Sequence, residues 1–236
     1  MHLKDESHSD VARKIMKTIA ALFFLLCSFM FAHAQNEQAP IVEKEIDYKD
    51  WKYKSLTTDT DLRLSEIAKG KKLVLVAYYA PWCSNWKHDA PILQRLYDKY
   101  KLAGLEIVAV GEYDPAAQMK DDLKGLRLTF PAVYESQDRA AREKTLHFTY
   151  RRWTGDSRKW GSPWYIFIEP SGREKAGDTL TRKTFVINGE IIEAEGEAFI
   201  RKRLGLSQAG VGRSGPADGK IEICEPDTKV PAFRKP

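Results

Sequence analysis

The chain has 236 residues, 43% of them apolar and 30% charged, a balance that excludes disorder throughout and fits one globular domain with appendages. A formal net charge of +5 is modest for this length; it favours solubility and carries no nucleic-acid signature. Three cysteines are too few for a dense disulfide framework, so packing has to hold the fold.

Residues 1–34 have the pattern of a signal peptide. Lys14 and Lys17 precede the apolar run Thr18 to Phe31, and Ala32-His33-Ala34 puts small residues at the positions a signal peptidase reads, so cleavage is expected before Gln35. Met16-Lys17 offers a second, more conventional start. The run is shorter than the roughly 20 residues that span a bilayer, which disfavours an uncleaved anchor. Cleavage removes Cys27 and leaves no membrane span, and it delivers Cys83 and Cys224 to a periplasmic or secreted setting where disulfides persist.

Residues 35–50 are polar, contain Pro40, and are expected to form an extended leader; the domain proper is expected over 51–206. Trp51 to Leu56 alternates like a short strand, and Thr57 to Asp61 supplies turn chemistry. Leu73 to Tyr79 is a continuous apolar run, a buried strand. It leads through Pro81-Trp82-Cys83 into a segment whose apolar residues Ile92, Leu93, Leu96 and Tyr97 share a helical face, with Pro91 expected to kink it. Cys83 therefore sits at the positive end of a helix dipole, the setting in which a thiol becomes a nucleophile. His88 and Lys87 fit a solvated helix face equally well as a catalytic role.

Leu105 to Val110 is expected as a strand, Pro115 to Gly125 as a helix and Phe130 to Tyr134 as a strand. This alternation predicts an α/β fold with a mixed central sheet flanked by helices. Ala140 to Trp160 breaks the pattern with basic residues interleaved with His147, Phe148, Tyr150, Trp153 and Trp160. Trp164 to Ile168 with the Glu169 to Gly172 turn predicts a hairpin, and Phe185 to Ile192 around Asn188-Gly189 predicts another. A helix from about Glu195 to Leu204 closes at Gly205, and residues 207–236 are expected as a flexible tail carrying Cys224.

The segments Leu62-x-Leu64-Ser65-x-Ile67, Gly70-Lys71-Lys72, Ala80-Pro81-Trp82-Cys83, Asp89-x-Pro91 and Phe130-Pro131, with Ser162-Pro163 before a late strand, resemble the thioredoxin fold, a three-layer sandwich. The likeness is strongest to the exported redoxin branch, the TlpA-like and ResA-like thiol-disulfide oxidoreductases. It implies that Pro163 is a cis-proline beside Cys83, with Ser162 offering backbone to an incoming chain. It also implies substrates that are protein or small-molecule thiols and disulfides; no cofactor is expected, and no metal, because Cys83 and His88 lack further ligands at any recognisable spacing.

Two departures stand out. The family's Cys-x-x-Cys motif reads Cys83-Ser84-Asn85-Trp86 here, and the buried acid of thioredoxins, on the central strand, is replaced by Ala77. Both losses touch resolution of a mixed disulfide, whereas its formation needs one thiolate only. Cys224 is either the thiol that resolves Cys83 in place of the missing cysteine or a free or intermolecular thiol. Trp82, Trp86, Ser162 and Trp164 are expected at the substrate surface, and Trp153 and Trp160 extend it if the Ala140 to Trp160 stretch walls the site. A redox-inactive binding module is the alternative. A peroxiredoxin-like peroxidase is a third reading, weakened because Ala80 stands where those relatives carry threonine. Oligomeric state is left open.

Overall fold

The computed structural model describes residues 16, 37–170 and 177–206. The expected signal peptide and its cleavage site, and the expected tail with Cys224, lie outside the described residues.

An eight-stranded mixed sheet organises the domain, in the order β2 (Val42–Lys49), β9 (Thr179–Ile187), β8 (Trp164–Ile168), β5 (Leu73–Tyr79), β6 (Leu105–Gly111), β7 (Ala132–Tyr134), β3 (Lys52–Ser55) and β4 (Asp61–Arg63). Its centre is β5 (Leu73–Tyr79), parallel to β6 (Leu105–Gly111) on one side and antiparallel to β8 (Trp164–Ile168) on the other. All seven residues of β5 are buried because helices cover both faces of the sheet, which is why this strand is apolar without alternation. On one face Leu73, Leu75, Ala77 and Tyr79 meet Leu93 and Leu96 of α2 (Ser84–Tyr100), Met119 of α3 (Ala116–Gly125) and Ile200 of α5 (Glu193–Leu204). On the other, Val74, Val76 and Tyr78 meet Leu64 of the short α1 (Leu64–Ile67) and Tyr150 of α4 (Leu146–Thr154). Helix α2 continues through Pro91.

β7 (Ala132–Tyr134) pairs parallel with β6 and antiparallel with β3 (Lys52–Ser55), and β4 (Asp61–Arg63) closes that edge. At the opposite edge the expected leader is not a leader. β2 (Val42–Lys49) pairs antiparallel with β9 (Thr179–Ile187), from Val42 opposite Val186 to Lys49 opposite Thr179. Only Ile46 and Tyr48 of this strand are buried, so its charged outer face, typical of a sheet edge, hides the strand signal.

The expected hairpin around Asn188-Gly189 is also replaced. β10 (Glu190–Ile191) leaves the main sheet and pairs in parallel with β1 (Gln38–Ala39). Gly189 permits this, since a Cβ there would lie 2.0 Å from the Glu37 carbonyl oxygen. The basic aromatic stretch folds into a 3-10 turn, Arg139–Lys144, and α4, which Thr145 caps by accepting a hydrogen bond from the Phe148 N–H at 3.0 Å. Among the described residues no helix is long and apolar enough to cross a membrane.

Candidate active site around Cys83

Cys83 is the N-cap of α2, directly after the buried end of β5. Its N–H donates to the Ala80 carbonyl at 2.9 Å, closing the turn that turns the chain from strand to helix. The side chain is half-buried, and its Sγ lies 3.1 Å from the Ser162 carbonyl oxygen, to which the thiol donates. The Ser162–Pro163 peptide bond is cis. Ser162 is held in turn by the Ala80 N–H, which donates to its Oγ at 2.9 Å. Cys83 and the Ser162 loop are thus fixed to each other through two hydrogen bonds. Among the described residues Cys83 is the free cysteine, and no second thiol faces it.

The Ser162 loop rests on a buried ion network that the sequence did not advertise. Arg151, from α4, donates through Nε to Asp156 Oδ2 at 2.9 Å and through Nη2 to the Arg158 carbonyl. Arg158 donates to Asp156 through Nε at 3.0 Å, to the Pro163 carbonyl at 2.9 Å and to Glu37 at 2.9 Å. Burial opposes ionisation of Asp156, but the hydrogen bonds from Arg158 and Arg151 outweigh it and hold the carboxyl at about 2. Gly161, with φ +58°, passes so close to Arg151 that a Cβ would sit 1.7 Å from its Nε. In the sequence these arginines look like any solvated charge run. The one legible sign was Gly161 beside Ser162-Pro163, a glycine where two groups approach closely.

Trp86, at the spacing of a second thiol, is fully buried. Its ring stacks on Tyr79 with centroids 4.4 Å apart, and its Nε1 donates to Asp122 Oδ2 of α3 at 2.9 Å. Trp164 is equally buried and donates to Asn188 Oδ1 at 2.8 Å. Both are core residues, so the expected tryptophan surface does not form as a whole. Trp153 is 54% exposed but sits beside Glu45, Asp47 and Arg182, away from the cysteine. Of the expected surface, Trp82, Ser162 and Trp160 remain. They line a cleft of about 370 Å³ with Cys83, Arg158 and Lys159, and the indoles of Trp82 and Trp160 meet edge to face at 5.4 Å.

Several buried acids lie around the sheet. Asp89 of α2 accepts from the Tyr165 hydroxyl at 2.6 Å, the Ile191 N–H at 2.8 Å and His88 at 3.1 Å. Burial raises its pKa despite these donors. His88, Asp89 and Glu190 bring ligand atoms within 4.8 Å of one another, but the Asp89 oxygens are already engaged by those three donors, so the group is an internal hydrogen-bond cluster. Glu112, beyond β6, is fully buried and pushed well above the carboxyl range by burial and then by Glu135. Glu135 accepts the Leu146 and His147 N–H groups at the start of α4. Burial, then the Arg151 charge, keeps His147 well below the usual imidazole range, hence neutral.

The family model described as AhpC/TSA matches residues 45–194. The chain belongs to the AhpC/TSA family. Within this redoxin family it is similar to proteins named thiol-disulfide oxidoreductase ResA. The identity is 34% over 32% of this chain for the Geobacillus kaustophilus protein and 32% over 48% for the Oceanobacillus iheyensis protein. The chain spans 42% and 61% of those relatives' own lengths. The crystal structure of a secreted thiol-disulfide isomerase from Corynebacterium glutamicum superposes with a TM-score of 0.51 at 16% identity, over 74% of this chain and 96% of that one. The fold of this AhpC/TSA member is therefore thioredoxin-like, as its sequence resemblance implies.

Proposed function

We propose that this protein is an exported thiol-disulfide oxidoreductase working through Cys83 as its single nucleophile. The observation that carries the reading is the position of Sγ: at the N-terminus of α2, in an open cleft, 3.1 Å from the Ser162 carbonyl beside cis-Pro163. The Cys83 thiolate attacks a disulfide of a protein or small molecule. One new S–S bond forms, the old one breaks, and the departing thiolate takes a proton from solvent. With Trp86 buried in the core, release of the adduct falls to an external thiol or to Cys224. Cys83 and Pro163 are assigned to the reaction centre and Ser162 and Trp82 to substrate contact.

Trapping tests this. The reduced protein, mixed with an oxidised peptide substrate and then alkylated, should carry one mixed disulfide that maps to Cys83 and disappears in Cys83→Ser. In Cys224→Ser the adduct should persist longer if Cys224 resolves it, and decay unchanged if external thiol does. A Cys83 that forms no adduct in the folded protein, yet does so after denaturation in urea, would replace this reading with a redox-inactive binding module.

A further inference from the structure

Resting on the assignment of Cys83 as nucleophile, we infer that the cleft beside it is an anion subsite, selecting disulfides that carry carboxylates next to the S–S bond. Two cations, Arg158 and Lys159, line the cleft against one carboxylate, Glu37. Lys159 is exposed, lies 5.3 Å over the Trp160 ring, and has no ionic partner among the described residues. Arg142 covers the same indole at 5.3 Å, and Arg139 covers the Trp82 ring at 4.7 Å. Cations resting on ring faces are held by the π-electrons without being neutralised.

The facing acids are committed elsewhere: Glu37 to Arg158 at 2.9 Å, Glu143 to Arg142 at 2.7 Å, and Asp114 loosely to Arg139 at 3.9 Å. Asp156 is enclosed between Arg151 and Arg158. Lys159 is thus the uncompensated charge at the rim. Two further donors have no acceptor. No side chain caps the N-terminus of α2, where Ser84 and Asn85 line the cleft, and the Trp82 Nε1 is buried without a hydrogen-bond partner. A flat or small acidic group in the cleft meets Lys159 and the start of α2, and at about 370 Å³ the space suits one ring or one or two amino-acid residues.

The chemistry is unchanged by the selection: the Cys83 thiolate displaces one sulfur, an acidic thiolate leaves with the electron pair of the broken bond, and no external oxidant is needed. The charge acts on approach and on the bound orientation of the disulfide.

The experiment measures the second-order rate of Cys83 modification in the full chain with probes of different charge. The probes are 5,5′-dithiobis(2-nitrobenzoate), neutral 4,4′-dithiodipyridine, and the disulfide dimers of acetyl-Glu-Cys-Glu-amide and acetyl-Lys-Cys-Lys-amide. Cys27→Ser with Cys224→Ser is the common background, so that Cys83 is the one thiol that reports. Lys159→Glu should slow the nitrobenzoate and Glu-peptide probes about tenfold, quicken the Lys-peptide dimer, and change the neutral probe by less than twofold. Lys183→Glu, on the far strand β9, should alter none of the rates.

Slowing of the nitrobenzoate probe alone assigns the subsite to small acidic disulfides, and slowing of both acidic probes extends it to acidic peptides. Equal effects of Lys159→Glu on all four probes, or none on any, would overturn the subsite. Failure of the neutral probe to modify Cys83 at all would instead remove the nucleophile assignment on which it rests.

Discussion

Asp156→Asn probes the buried network under the Ser162 loop through its pH dependence. Asparagine keeps the shape of the protonated acid and removes its charge, so the variant imitates the wild type at very low pH. The wild-type carboxyl titrates at about 2, against an ordinary 3.8. At about 1.4 kcal/mol per pH unit, and with some screening at the partly exposed Arg158 edge, this corresponds to about 2 kcal/mol of stability at neutral pH. Because the folded pKa is depressed, that contribution is fully present above pH 3.8 and is lost as pH falls through about 2. Urea unfolding of both proteins at several pH values from 7 to 2 measures it. The variant should be less stable by about 2 kcal/mol at pH 7 and at pH 5, and the two curves should converge between pH 4 and pH 2. A difference of the same size at every pH would mean that the Asp156 charge is not what binds Arg151 and Arg158, and the reasoning would fail.

Glu112→Gln should act with the opposite sign. The raised carboxyl favours folding when neutral and loses that advantage as pH climbs above about 4.3, so the variant should gain on the wild type between pH 5 and pH 8 in the same assay, and parallel curves would refute the burial argument. Gly161→Ala puts a methyl into the Arg151 guanidinium at a positive φ; a loss of about 2 kcal/mol or more and altered Cys83 labelling kinetics are expected, and unchanged values for both would exclude the contact. Trp86→Ala should cost about 3–5 kcal/mol by thermal or urea unfolding, whereas Trp86→Phe, which keeps the stacking on Tyr79 and drops the Asp122 hydrogen bond, should cost about 1 kcal/mol. A Trp86→Ala loss under about 1 kcal/mol would show that the indole is not a core residue.

How far the fold could be read from the sequence depended on burial. β5 and α2 declared themselves because both faces of the strand and one face of the helix are covered, giving a seven-residue apolar run and an apolar stripe at helical spacing. β2 did not, because it inserts only Ile46 and Tyr48 and turns Glu43, Glu45 and Asp47 outward. β10 was assigned the wrong partner because Asn188-Gly189 has hairpin chemistry, and the contact that overrides it, Glu37 against Gly189, is remote in sequence. Within the site, the placement of Cys83 beside Ser162 followed from chain order in a familiar topology. The tryptophans were harder: nothing local separates Trp82 at the cleft from Trp86 four positions later, except that a helix starting at Ser84 turns the second ring into the core. The Arg151–Asp156–Arg158 network joins charges from a helix and a loop, and only the folded chain brings them together.

The buried ring of Trp86 has a bearing on how this site can evolve. A tryptophan codon is one base away from a cysteine codon, so the genetic step to a paired-thiol motif is as short as any substitution. The folded protein opposes it: a cysteine at position 86 would leave Tyr79 without its stacking partner and Asp122 without its donor, and would open a hole between α2 and the sheet. Any lineage that acquired the thiol in one step would carry a weakened core. Packing thus opposes a cysteine at position 86 for reasons of stability that are independent of what Cys83 does.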